Sequence, residues 1–296
     1  MKILLTGASG NLGSEVCRKL IDEGFEVIAT DQTMRKDLPV KVKVADLRDR
    51  IVCYDLMDGA DAIVHLAAHP NDGFPDKQAL LNDNTSITMN LIHAACESEI
   101  KKFLYASSIQ AMVRNRRMAD DKTVPQSTLK YLPLDGDYPV DPDNVYGLSK
   151  VLCEQMLKFY SSERGFSCTA FRFPFLFNPS YLKYFSRYRL SWKAYLTHHA
   201  NLEECFSALS VEDAARLIIT VLRKDLPGYR CYLPASPVPV AEDSVESLIE
   251  KYYKNVPLKK PASELKSFVD ISRITADTGW VPRDNVFQMI KEAMNW

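Results

Sequence analysis

The stretch Lys2-Ile3-Leu4-Leu5-Thr6-Gly7-Ala8-Ser9-Gly10-Asn11-Leu12-Gly13 decides the fold. Lys2 to Thr6 reads as a short buried strand, and the three glycines follow it directly. An amphipathic helix begins at once, with Val16, Leu20 and Ile21 apolar and Glu15, Arg18 and Lys19 polar. A strand, a glycine turn and a helix in that order build an anion site. The glycines let the backbone approach a pyrophosphate, and the helix N-terminus offers free N–H groups and the positive end of its dipole. The spacing is G-x-x-G-x-x-G rather than the usual G-x-G-x-x-G, so its meaning rests on its place between a strand and a helix. The competing reading is a purely structural glycine turn.

Working outward, Phe25 to Thr30 reads as a second strand with Asp31 at its end. That is close to where an acid grips the ribose 2′-hydroxyl of NAD and repels the 2′-phosphate of NADP. Arg35 nearby acts in the opposite sense. Val40 to Ala45 alternates as a third strand, and Asp61 to Leu66 is a fourth, ending in Ala67-Ala68-His69. Small residues there leave room for a ligand in the crevice of an open sheet. Lys77 to Glu99 and Val145 to Arg164 read as long helices. Phe103 to Ala106 begins a fifth strand that ends in Ser107-Ser108, and Ser167 to Phe173 is a sixth. Strands alternating with helices mean βαβ units and a parallel sheet.

Arg114 to Asn144 carries four of the sixteen prolines and little periodicity, and reads as a loop with a functional or mobile role. From Pro174 the character changes. Pro174 to Phe185 is rich in Phe and Tyr, Val211 to Leu222 is an amphipathic helix, and Tyr229 to Leu233 is a strand. Ser244 to Tyr253, Ile271 to Thr278 and Val286 to Met294 read as three further helices. The expected architecture is an α/β, doubly wound parallel sheet of Rossmann type with a small, mostly helical C-terminal substrate cap. Residues 1–173 form the nucleotide-binding domain, 207–235 return to it, and 174–206 with 236–296 build the cap.

Composition narrows the class. The chain has 296 residues, 46% hydrophobic and 25% charged, ordinary values for a soluble enzyme. A net charge of -1 gives no pull toward nucleic acid or an anionic membrane. The seven cysteines are scattered, odd in number and never in a C-x-x-C pair, which points to reduced thiols in the cytoplasm and no zinc. No apolar stretch reaches the ~18 residues of a membrane span. The apolar run after Met1 is broken at Gly7 and Ser9, so no signal peptide is expected. His198-His199 has no third ligand in evidence, and no metal site is expected.

Chemistry concentrates at Tyr146-Gly147-Leu148-Ser149-Lys150, where Tyr146 and Lys150 share a helix face at i, i+4. A free tyrosine, with a pKa near ~10, is a poor base, and a neighbouring ammonium favours its phenolate. Tyr146 can then take a proton from an alcohol while hydride leaves the carbon, and Lys150 can also hold the nicotinamide ribose. Ser107-Ser108, at the end of a strand, offers a hydroxyl for the substrate oxygen. The bland reading of the pair is an exposed helix face.

With these residues in view, the chain resembles the extended short-chain dehydrogenase/reductases, the NAD-dependent epimerase/dehydratase family. The likeness runs through Thr6 to Gly13, Asp46-Leu47-Arg48-Asp49, His65-Leu66-Ala67-Ala68, Asn84 before Thr88-Met89-Asn90, and Tyr105-Ala106-Ser107-Ser108. It continues in Tyr146 to Lys150, Arg172-Phe173-Pro174, Ser210 to Ala215, Asp270 to Arg273 and Gly279-Trp280-Val281-Pro282. The resemblance implies Ser108, Tyr146 and Lys150 as catalytic residues. It implies NAD held by Gly7, Ser9, Gly10, Asn11, Leu12, Gly13, Asp31, Asp46, Leu47, Leu66, Ala67, Ala68, Asn84 and Phe173, with Tyr146 and Lys150. It implies a sugar or nucleotide-sugar substrate touched by Ser108 and Asn178, and a homodimer paired through the two long helices.

Departures bear on substrate. Ala111-Met112 stands where the family often has Tyr-Gly, and Asn178-Pro179 where it has Gly-Pro. No glycine lies between Gly165 and Gly228, and no Arg-Asp pair lies between Gly165 and Val211, so the segment that frames a nucleotide in sugar epimerases is shortened. Arg187, Arg189, Ser191 and Trp192 resemble instead the anion-binding stretch of uronate dehydrogenases; the bland reading is two solvated arginines. Three outcomes stay open: an epimerase that retains NADH, a dehydrogenase of a free aldose or uronic acid that releases it, and a non-catalytic NAD-binding sensor.

Overall fold

The computed structural model describes residues 1–114, 127–180 and 202–293. Its main sheet joins seven parallel strands: β1 (Lys2–Thr6), β2 (Glu26–Asp31), β3 (Lys43–Val44), β4 (Ala62–His65), β5 (Lys102–Ser108), β6 (Ser167–Phe173) and β9 (Tyr229–Tyr232). Their order is β3-β2-β1-β4-β5-β6-β9. The order reverses between β1 and β4, and such a switch point opens a crevice beyond the carboxyl ends of the strands.

Alternation along each strand divides the core into two layers. Ile3, Leu5 and Val64 face α1 (Asn11–Asp22) and the amphipathic α5 (Val211–Leu222). Leu4, Ile28 and Ile63 face α2 (Arg50–Met57), α3 (Lys77–Glu97) and α4 (Val145–Arg164). Capping side chains fix several helix starts. Asp49, Asp76, Asn144 and Ser210 accept from backbone N–H groups of the first turns of α2, α3, α4 and α5.

Apart from α5 and β9, which join the main sheet, the described residues after β6 form smaller elements. β7 (Phe175–Phe177) and β8 (Ala208–Ser210) pair in parallel, and α6 (Val245–Tyr252), α7 (Ser272–Thr278) and α8 (Val286–Ala293) follow. The expected helical C-terminal region is present, and β9 completes the main sheet beside β6. Two late motifs act as a clasp. The buried Asp213 accepts from the backbone N–H groups of Arg283 and Asp284 at 2.8 and 2.9 Å, and Ser210 donates to Asp284 at 2.6 Å.

Several expectations are corrected. α2 falls where no helix was expected, and the third strand is two residues long rather than spanning Val40 to Ala45. The described part of the expected long loop, 127–144, is tied to the elements after it. Leu132 and Leu134 bridge Leu258 and Val269, and both side chains are buried in the same cluster as Tyr253 and Phe268.

Candidate active site

The glycine turn closes on itself at short range. Gly7 takes φ +70°, and a Cβ there would sit 2.7 Å from the Ala67 nitrogen. A Cβ on Gly13 would sit 1.9 Å from the Gly7 carbonyl oxygen. The turn therefore presses α1 against β1 and lies against the end of β4, as a backbone that approaches a pyrophosphate requires. A single cleft of about 1130 Å³ runs from this turn along the carboxyl ends of the strands. It is lined by every residue of the turn named above from Gly7 to Gly13 except the buried Ala8, and by Leu66, Ala67 and Ala68 after β4.

Asp31, at the end of β2, lines the same cleft and accepts from the Ser9 N–H at 3.0 Å and the Thr33 N–H at 3.1 Å. It thus ties the glycine turn to the second strand where a ribose would lie. Arg35 sits at the same turn, donating to Asp37 at 2.8 Å and to the Ser9 carbonyl at 3.2 Å. Leu47 and Asn84 line the cleft further along. Asp46 does not: its carboxylate is gripped by Arg48, whose hydrogen bonds hold it below its ordinary pKa. Arg48 and Asp83, which sequence reasoning left out, line the cleft instead, with Asp83 accepting from His69 at 2.9 Å.

Asn84 reaches across from α3 to α4. Its Oδ1 accepts from the His69 N–H at 2.8 Å, and its Nδ2 donates to Ser149 Oγ at 3.0 Å, while Ser149 donates to the Tyr146 carbonyl at 2.7 Å. The first turn of α4 is thereby locked in place. Asp72 adds a second tether, accepting from the Tyr146 N–H at 3.2 Å. His65 is structural: it is fully buried between Thr6 and Thr88, and burial drops its pKa to about 3, so it stays neutral.

Tyr146, Lys150 and Ser108 meet at the far end of the cleft, beside Phe173. The Lys150 ammonium lies 5.6 Å from the Tyr146 ring centroid and donates to the Ala106 carbonyl at 2.8 Å. Burial pushes Lys150 down to about 8. The expected lowering of the Tyr146 pKa is not met in the protein alone. Burial pushes the phenol up to about 12; its hydrogen bond with Ser108 works against that, and the Glu204 charge adds to it. Behind the pair, Glu154 accepts from Ser107 at 2.5 Å and from Arg172 at 3.1 and 2.8 Å, and all three are buried.

Asn178 lies apart from the lining, donating to Asn11 Oδ1 at 2.5 Å. Arg187, Arg189, Ser191, Trp192 and His198-His199 fall outside the described residues. Gln110, Glu204 and Phe206 line the same cleft and were not foreseen. Only Gln110 carried a signal, its place two residues after Ser108.

A cleft that can hold a dinucleotide along β1 and β4, with Tyr146, Lys150 and Ser108 on its lining, fits a dinucleotide-dependent class, that of the short-chain dehydrogenase/reductases. The chain belongs to the NAD dependent epimerase/dehydratase family, whose model matches residues 3–231. It is 31% identical over 187 residues to GDP-mannose 3,5-epimerase of Arabidopsis thaliana, covering 60% of this chain and 48% of that protein. It is 27% identical over 217 residues to the NAD-dependent glucose-6-phosphate dehydrogenase of Haloferax volcanii, covering 70% and 80%. The UDP-glucose 4-epimerase of Thermus thermophilus in complex with NAD superposes with a TM-score of 0.69 at 18% identity, covering 100% of this chain and 98% of that one. The chain spans about half the length of the epimerases first among its curated relatives. NAD is the cofactor of this family. The cradle that a Cβ at Gly7 or Gly13 would fill, with Asp31 beside it, fits that group. Among the described residues no group of His, Cys, Asp or Glu is placed to hold a metal, and no helix is long and apolar enough to cross a membrane.

Proposed function

We propose that the protein transfers hydride reversibly between NAD and a secondary alcohol of a sugar or nucleotide sugar. The observation that carries this reading is the convergence of Tyr146, Lys150 and Ser108 in the same cleft that the glycine turn lines. NAD, when bound, supplies the hydride-accepting carbon and a positive charge that favours a nearby phenolate. Ser108 orients the substrate oxygen, Tyr146 Oη takes and returns its proton, and Lys150 supports the phenolate and the nicotinamide ribose. Asp31 holds the adenosine ribose and favours NAD over NADP. Asp46, Asn178, Arg187 and Arg189 remain proposed contacts of cofactor and substrate. The segments 174–206 and 236–296 act as the substrate cap above the nucleotide-binding domain, and the protein works in the cytoplasm as a homodimer.

A second reading is a dehydrogenase of a free aldose or uronic acid that releases NADH. Its dehydrogenase chemistry, though not its free substrate, is supported by the 80% of the glucose-6-phosphate dehydrogenase that the match covers, against about half of the epimerases. Nicotinamide absorbance, followed with NAD and a panel of free aldoses, uronic acids and UDP-sugars, separates the two. Accumulating NADH means a dehydrogenase; conversion of a nucleotide sugar without net NADH means an epimerase. Tyr146→Phe is expected to cut turnover by about 10² or more in either case. Near-normal turnover would remove Tyr146 as the acid/base, and no turnover by the native protein would favour the sensor reading.

A further inference from the structure

The segment Leu202 to Phe206 enters the catalytic end of the cleft in an unusual backbone. After the turn Leu202–Glu204, both Cys205 (φ 55°) and Phe206 (φ 52°) are left-handed, and neither is glycine. Non-glycine residues hold such conformations only where surrounding contacts over-determine them, and they gather at binding sites. The contacts are present. The Leu202 carbonyl accepts from the Tyr253 hydroxyl at 2.7 Å, the buried Glu203 accepts from the Thr128 N–H at 3.0 Å, and the Phe206 carbonyl accepts from the Val240 N–H at 2.8 Å. Leu202 and Glu203 thus anchor the turn, while Glu204 and Phe206 line the cleft.

Glu204 is also tied to the catalytic elements. Its Oε1 accepts from Gln110 Nε2 at 3.3 Å, and Gln110 Oε1 accepts at 3.3 Å from Asn144, the capping residue of α4 just before Tyr146. Its charge is close enough to oppose ionisation of the Tyr146 phenol. A carboxylate so placed accepts hydrogen bonds from hydroxyl groups and repels another carboxylate or a phosphate.

We propose that Glu204, presented by the strained turn at Cys205 and Phe206, selects the substrate at the reacting end: it binds hydroxyls of a neutral sugar ring there and rejects a sugar acid. Phe206 beside it offers an apolar face for the ring's C–H surface. The inference deepens the hydride-transfer reading, because it concerns the moiety that meets Tyr146.

Binding rather than turnover tests it. Protein saturated with NADH is titrated calorimetrically with two pairs that differ only in a carboxylate, glucose with glucuronate and UDP-glucose with UDP-glucuronate. The native protein is expected to prefer the neutral member of at least one pair by about tenfold or more, the size of one charge-assisted contact. Glu204→Gln should narrow that ratio by about tenfold, and Glu204→Asp, which keeps the charge, should retain most of it. Preference for the acids, binding of neither member of either pair, or an unchanged ratio in Glu204→Gln overturns the proposal. None of these outcomes depends on turnover, so a failure of the hydride-transfer reading shows separately in the Tyr146→Phe kinetics.

Discussion

Lys150 carries a conflict between its proposed role and stability. It is buried, and burial holds its pKa near about 8, below its ordinary value of 10.5. Below about pH 8 the ammonium is charged in both the folded and unfolded chain, and folding bears the full cost of burying it. Between about 8 and 10.5 the unfolded chain binds the extra proton, so this group's contribution to stability rises with pH through that window. Lys150→Met is therefore expected to raise Tm at pH 7 while abolishing turnover, and its advantage over the native protein should shrink as pH climbs past 8. Thermal melts of both proteins across that range check it, and an advantage independent of pH would mean that the buried charge is not its cause. The placement of Lys150, Tyr146 and Ser108 on one cleft was legible in the sequence because it rides on local spacing and on strand ends. Glu204 and Asp72 were not, since they reach the site only through long-range folding, from a short turn and from a loop with no periodicity.

Elements were legible in proportion to their length and amphipathicity. α4 and α5 fall within the bounds their periodicity predicts, Val145–Arg164 and Val211–Leu222. α2 was missed because it has eight residues and one buried stripe, Cys53, Leu56 and Met57; its only start signal is the Asp49 cap. β7 and β8 are three residues each and far apart in the chain, so no local pattern announces their pairing. The glycine turn itself supports a sharper claim, because its glycines are not equivalent. A Cβ at Gly13 would overlap the Gly7 carbonyl at 1.9 Å, whereas one at Gly10 would meet the same oxygen at 3.2 Å. Gly13→Ala is expected to displace α1 from β1, costing about 2 kcal/mol or more as overpacking does, and to weaken NAD binding at least tenfold. Gly10→Ala should keep most of both. Urea unfolding and fluorescence titration with NADH measure the two effects, and equal behaviour of the two variants would contradict the close approach at Gly13.

At the scale of the molecule, the two faces of α4 do different work. Inward it presents Tyr146, Lys150 and Glu154, and Glu154 with Arg172 binds it to β6 and to the carbonyl of Tyr138 in the segment 127–144. Outward it exposes Leu148 (40%), Leu152 (40%) and Phe159 (60%), which return to one side of the helix at i, i+4 and i+11. Large apolar side chains aligned on one exposed helix face mark an association surface more often than scattered ones do. Two copies paired through this face would cover it and stiffen the helix that positions the catalytic pair, which is the physical case for the proposed homodimer. Light scattering is then expected to give twice the 33.6 kDa chain mass, and Leu152→Glu with Phe159→Glu should return it to the single-chain mass. Because both side chains point away from Tyr146, the charged variant should stay folded by circular dichroism and bind NADH. A native protein that scatters as one chain at every concentration would remove the dimer and leave this apolar face without that role.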